Sequence, residues 1–160
     1  MRTRSVLILC TGNSARSIMG EVIASSLPDI RGYSGGSRPR GELHAMAISV
    51  LESKGHNVWD LESKSWTTFA EPGAPRMDIV ITVCDNAARE TCPVWPGHPV
   101  QVHWGLPDPA AVEQMSRQRI AFEDIYADLK KRLTRLAELD FDALSDAELK
   151  AAAEAIHEGR

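Results

Sequence analysis

The stretch "SVLILCTGNSARSIMGE" changes character twice within a few residues. Val6 to Cys10 is a continuous apolar run of strand length, the pattern of a strand covered on both faces. The loop "TGNSA" that follows is small and polar. From Ser17 to Leu27 the residues Ile18, Met19, Val22, Ile23 and Ala24 make a helical stripe, which Pro28 ends. A loop joining a buried strand to a helix N-terminus can turn successive backbone N–H groups inward and form a nest for an anion. Arg16 adds a permanently charged fork suited to a tetrahedral oxyanion. These surroundings favour a thiolate at Cys10, and Ser14 or Ser17 is placed to donate a hydroxyl to it.

The rest of the chain alternates strands and helices. Ile30 to Ser34 reads as a short strand before the turn-rich "SGGSRPRG", where Arg38 and Arg40 are expected to be solvated. Glu42 to Lys54 presents Leu43, Ala47, Val50 and Leu51 on one helical face and stops at Gly55. His44 and His56, on or near this helix, are expected at the surface. "DLESKSWTTFAEPGAPRMD" is irregular with room for a short helix, and Asp78 to Val83 is a second strongly apolar strand, ending at Cys84. A weaker strand, Val100 to His103, runs into "WGLPDPA", with His103 and Trp104 candidates for either a pocket mouth or the core.

From about Ala111 to Leu139 the pattern is helical, with Ile120, Ile125, Leu129, Leu133 and Leu136 as core candidates. Ser145 opens a last helix, with Glu148 at the capping-box position. This order predicts an α/β fold of three αβα layers around a mostly parallel, four-stranded sheet. It is expected to be one domain over 1–160, with 140–160 a C-terminal helical extension. Ligands of such sheets lie beyond the C-terminal strand ends. Cys10, Cys84 and Asp108 all follow strands, so they are expected on one rim.

A net charge of −4 argues against nucleic acid as a partner, since a phosphate backbone needs a cationic surface. The apolar run behind Arg2 and Arg4 is shorter than the roughly 7–15 residues of an export signal, and no stretch approaches membrane-spanning length. A cytoplasmic protein, acting as a monomer and away from membranes, is the expectation. Three cysteines then argue against a disulfide framework. His98 and His103 lie downstream of Cys84 and Cys92, but "CDNAARETC" lacks short metal-ligand spacing, so no metal site is expected. Redox or nucleophilic chemistry remains. An eight-residue step along a regular helix is about 12 Å, so Cys84 and Cys92 cannot bond unless the segment between them moves.

The Cys10-x5-Arg16 loop between strand and helix resembles the phosphate loop of the low-molecular-weight protein tyrosine phosphatases. Asp108-Pro109 falls where that family carries its general acid. "CTGNSARS", "ITVCDNAARETCPVWPG" and "HWGLPDPA" together resemble the thiol-dependent arsenate reductases built on the same fold, in register over nearly the whole chain.

The resemblance implies an arsenic-detoxifying oxidoreductase without a tightly bound cofactor. Arsenate would be held by the loop Thr11, Gly12, Asn13, Ser14, Ala15, Arg16 and Ser17 and attacked by Cys10, with Asp108 assisting departure of hydroxide. Cys84 would then attack Cys10 and expel arsenite, and Cys92 would take over to give a Cys84–Cys92 disulfide. Thioredoxin, or a glutaredoxin–glutathione system, would reduce it. The alternative is a phosphatase acting on phosphotyrosine or aryl phosphates. That specificity goes with aromatic residues after the Asp-Pro pair, whereas "AAVEQ" follows here and no aromatic comes before Phe122. Position 15 is alanine, where some members have another cysteine, and some members have one residue fewer between their second and third cysteines. Certain members hold potassium near the loop. Asn13 and Glu21 match their ligands, but Lys64 falls at the aspartate position, where its ammonium can replace the cation.

Overall fold

The computed structural model describes residues 2–159. Its centre is a four-stranded sheet in the order β2-β1-β3-β4, formed by β1 (Arg4–Cys10), β2 (Ile30–Gly36), β3 (Ile79–Thr82) and β4 (Val100–His103). Every pairing is parallel. The helices are α1 (Arg16–Ser25), α2 (Ala45–Ser53), α3 (Asp85–Arg89), α4 (Met115–Ala137) and α5 (Asp146–His157), with 3-10 turns at Trp66–Phe69 and Pro109–Ala111. The α/β architecture with a parallel four-stranded sheet is the one the alternation of elements predicts.

The two-residue period of β1 explains how both faces are filled. Val6, Ile8 and Cys10 belong to the larger apolar cluster, shared with α1, α2, α4 and α5. Leu7 and Leu9 point the other way, into a smaller cluster with Trp66, Phe69, Met77, Val80 and Trp95. That second face is covered by irregular chain, which matches the aperiodic sequence there. Gly55 ends α2 with φ near +86°, and Ser145 with Glu148 forms the capping box of α5.

Two expectations are corrected, and the alternative left open for Trp104 is decided. Ile120 lies on the solvent side of α4 and is 60% exposed, because Phe122, Ile125, Tyr126 and Leu129 already form the inward stripe. His44 and His56 are half-buried rather than surface groups. His44 caps α2 by accepting from the Met46 amide at 3.1 Å and packs on Phe122, while His56 pairs with the Tyr126 hydroxyl at 2.6 Å. Trp104 is a core residue, fully buried, and its indole N–H donates to the Ala153 carbonyl at 2.9 Å, tying α5 to β4.

The sheet places the site. After β1 the chain turns one way to β2 and later returns to build β3 on the other side, so the strand order switches at β1 and β3. Cys10 and Cys84 stand at that switch point, the crevice where open parallel sheets bind ligands.

Candidate active site

A cavity of about 220 Å3 opens at the C-terminal rim of the sheet. Cys10, Arg16, Cys84 and Asp108 line it together with Thr11, Gly12, Ser14, Ala15 and the two arginines Arg38 and Arg40. No aromatic side chain lines it.

The loop is turned by its carbonyls. Thr11 O accepts from the Arg38 amide and Gly12 O from the Arg40 amide, both at 3.0 Å, and the Ser63 hydroxyl also donates to Gly12 O at 3.2 Å. Ser14 O accepts from the His44 amide at 2.9 Å. With the carbonyls engaged outside, the intervening N–H groups face the cavity. Asn13 holds the required left-handed backbone, φ near 45°, which asparagine tolerates better than most residues. Its side chain donates to Ser17 Oγ at 2.8 Å and accepts from the Lys64 amide at 2.8 Å. Gly36 lets β2 pass beneath, since a Cβ there would sit 2.4 Å from Thr11 O. No side chain caps α1, whose N-cap is Ala15, so its first-turn N–H groups remain available to an anion.

Arg16 is pinned by donating to the Leu106 carbonyl at 2.8 Å, and its guanidinium lies 4.0 Å from the Asp108 carboxylate. Asp108 accepts from the Ala110 amide at 3.0 Å, and its side chain is close to half exposed. Asn13 and Ser17 are fully buried and do not line the cavity; they brace the loop from behind, so Ser17 is not a donor to Cys10.

Glu21 and Lys64 complete this support. Lys64 Nζ meets Glu21 Oε1 at 3.2 Å, and the same oxygen accepts from the Ser34 hydroxyl at 2.6 Å. Lys64 Nζ also donates to the Glu62 carbonyl at 3.1 Å. The oxygens of Asn13 and Glu21 that would ligate a cation are therefore already engaged by Lys64, and the site does not fit a bound potassium. Among the described residues no group of three or more His, Cys, Asp or Glu side chains could hold a metal ion.

Cys10 and Cys84 are both buried, line the same cavity and act on each other's charge. The Cys84 sulfur caps α3 by accepting from the Ala87 amide at 3.4 Å, and it takes the Thr11 amide at 3.3 Å and the Thr11 hydroxyl at 3.4 Å. The hydrogen bond from Cys10, above all, brings the Cys84 pKa down to about 5 against the opposing effect of burial. Cys10 is pushed well above the usual thiol range, first by Cys84 and then by burial, although the Arg16 charge and the Gly12 amide act the other way. Two adjacent buried sulfurs carry one charge between them, so the pair titrates as a unit, with Arg16 and the Gly12 amide favouring the charge at Cys10 and the Thr11 and Ala87 donors favouring it at Cys84.

Cys92 is not brought to this cavity. It is half-buried in a second one, against the smaller apolar cluster. Burial, then the Glu90 carboxylate, raise its pKa. Between Cys84 and Cys92 the helix α3 stops at Arg89, and Glu90 is extended. Arg38 and Arg40, expected to be solvated, are exposed and also line the oxyanion cavity. Their position just past β2 was the available signal, since every strand of a parallel sheet ends on the same rim. Asn86, not singled out in the sequence, lines it too.

The family model described as low molecular weight phosphotyrosine protein phosphatase matches residues 5–153. The arsenate reductase of Bacillus licheniformis is 32% identical over 142 residues, covering 86% of this chain and 98% of that protein. The arsenate reductase of Bacillus subtilis is 30% identical over 141 residues, with the same coverage. Among solved structures, an arsenate reductase in a phosphate-binding state superposes with a TM-score of 0.67 at 24% identity, over 89% of this chain and 100% of that one. The Corynebacterium glutamicum thioredoxin-dependent arsenate reductase gives 0.62 at 21% identity, over 89% of this chain and 63% of that one. The tyrosine phosphatase Wzb of Escherichia coli K30, solved with sulphate, gives 0.67 at 22% identity, over 85% and 97%. At these identities the structural likenesses establish the fold.

Proposed function

Because the chain belongs to the low molecular weight phosphotyrosine protein phosphatase family, we propose that it reduces arsenate to arsenite through its three cysteines. The single observation that carries this reading is the second thiol, Cys84, set against Cys10 in the oxyanion cavity. A phosphatase needs one thiol there. A second one is what a reaction ending in a disulfide requires.

The steps balance as follows. The pair's proton passes to Cys84, and the Cys10 thiolate attacks arsenic(V) held by the loop amides and Arg16. Hydroxide leaves as water with a proton from Asp108. Cys84, deprotonated again beside Thr11, attacks Cys10 Sγ: the S–S bond forms, the S–As bond breaks, and its electron pair reduces arsenic to the +3 state. Arsenite departs. The Cys92 thiolate then attacks Cys84 and releases Cys10 as thiolate. An external dithiol, for which thioredoxin is the first candidate, reduces Cys84–Cys92. Residues 1–160 act in this scheme as one domain, 140–160 being its helical extension, in the cytoplasm.

The cavity has guanidinium groups from Arg16, Arg38 and Arg40 and no aromatic wall, which suits a small, multiply charged oxyanion better than a phosphotyrosine ring. Purified protein supplied separately with thioredoxin and glutaredoxin systems should release arsenite over many turnovers with one of them. Cys84→Ser should end that release while aryl-phosphate cleavage by Cys10 continues. Undiminished multiple turnover by Cys84→Ser would refute the reading.

A further inference from the structure

Resting on that reading, the relay asks Cys84 to do two things in sequence. It must first stay beside Cys10, and it must then leave to meet Cys92, which occupies a separate cavity of about 260 Å3. A disulfide needs Cα atoms roughly 4.4–6.8 Å apart, so the segment carrying both residues has to rearrange between the two steps. Something must hold Cys84 in place during the first.

The residue after Cys84 carries such a hold. Asp85 Oδ1 lies 2.9 Å from His103 Nε2, across from the end of β4. The other ring nitrogen, Nδ1, is 2.8 Å from the Thr82 hydroxyl and 3.1 Å from the Thr82 carbonyl. The imidazole therefore bridges the last residue of β3 to the first residue of α3. Gly105 leaves the space for it: a Cβ there would lie 3.0 Å from both Asp85 Oδ1 and His103 Nε2. His103, Thr82 and Cys92 line the same second cavity, so the bridge borders the cavity where Cys92 waits.

We propose that His103 and Asp85 form a charge-dependent latch that keeps Cys84 at Cys10 and opens to let it pair with Cys92. His103 is a positioning residue in this account and touches no reacting atom. When neutral, it donates from Nε2 to Asp85 and accepts the Thr82 hydroxyl at Nδ1. When protonated, it donates from both nitrogens, to Asp85 and to the Thr82 carbonyl, and the contact gains a full ion pair. The charges that face it are Arg89 on α3 and Arg16 on α1, which act on Asp85, and His157, Lys150 and Glu154 on α5. The Asp85 carboxyl is held below its usual range, chiefly by His103, in keeping with an engaged pair.

The test follows formation of the Cys84–Cys92 disulfide in the full chain without arsenate, using glutathione disulfide as oxidant. Asp85→Asn and His103→Gln are compared with wild type across pH 6 to 8. Asn at 85 keeps a hydrogen-bond acceptor and removes the charge. Both variants should form the disulfide about two- to fivefold faster than wild type, the range of a part-exposed ion pair. An unchanged denaturant-unfolding midpoint in both variants separates this from a disturbed fold. Equal or slower disulfide formation in the variants would overturn the latch. Since arsenate takes no part, a failure to release arsenite in the functional assay would count against the reductase reading alone.

Discussion

Thr11 touches Cys84 twice, by its amide and by its hydroxyl, and so joins the oxyanion loop to the second sulfur. These donors favour a thiolate at the Cys10–Cys84 pair. One thiolate should therefore be present at neutral pH and should disappear as pH falls through about 5. Ultraviolet thiolate absorbance checks this. Cys10, Arg16 and Asp108 were legible in the sequence because each stands in a motif with a fixed spacing beside a recognisable strand. The Thr11 contact was not, since it joins residues 73 positions apart and half of it is made by backbone. The same holds for the His103–Asp85 pair, whose partners come from different elements.

The loop between β1 and α1 is held by its neighbours as much as by its own residues. Its carbonyls are taken by the chain after β2, and Asn13, its left-handed residue, is clamped between Ser17 and the Lys64 amide. Lys64→Met removes the ammonium and leaves Glu21, whose side chain is 17% exposed, without its cation. That should lower stability by about 1–3 kcal/mol, read from denaturant unfolding, and potassium should restore part of the loss by taking the vacated place. Magnitudes near zero would mean that solvent already shields Glu21. Helix periodicity in the sequence predicted α1, α2, α4 and α5 well, because their apolar stripes face one cluster. It misjudged Ile120, which sits one step off the stripe, and it gave no sign of α3. Residues 85–89 are helical under the Cys84 cap, but Cys92 is drawn into the apolar cluster of Leu9 and Trp95, and the helix stops short of it.

At the scale of the whole molecule, the parallel sheet does the gathering. Four strands that run the same way end on one rim, and the reversal of strand order at β1 and β3 sets Cys10 and Cys84 side by side there. That much follows from the alternation of strands and helices. Which residues complete the rim depended on long connections whose course has no periodic signal, and so Asn86 emerged only from the three-dimensional arrangement. Cys92, on the same chain segment as Cys84, faces a different cavity, which makes movement part of the proposed cycle. The most direct measurement is a single-turnover reaction of Cys92→Ser with excess arsenate and no external thiol, followed by disulfide mapping. The account predicts one arsenite released per chain and a trapped Cys10–Cys84 disulfide. Arsenite release without that bond, or no release at all, would contradict it.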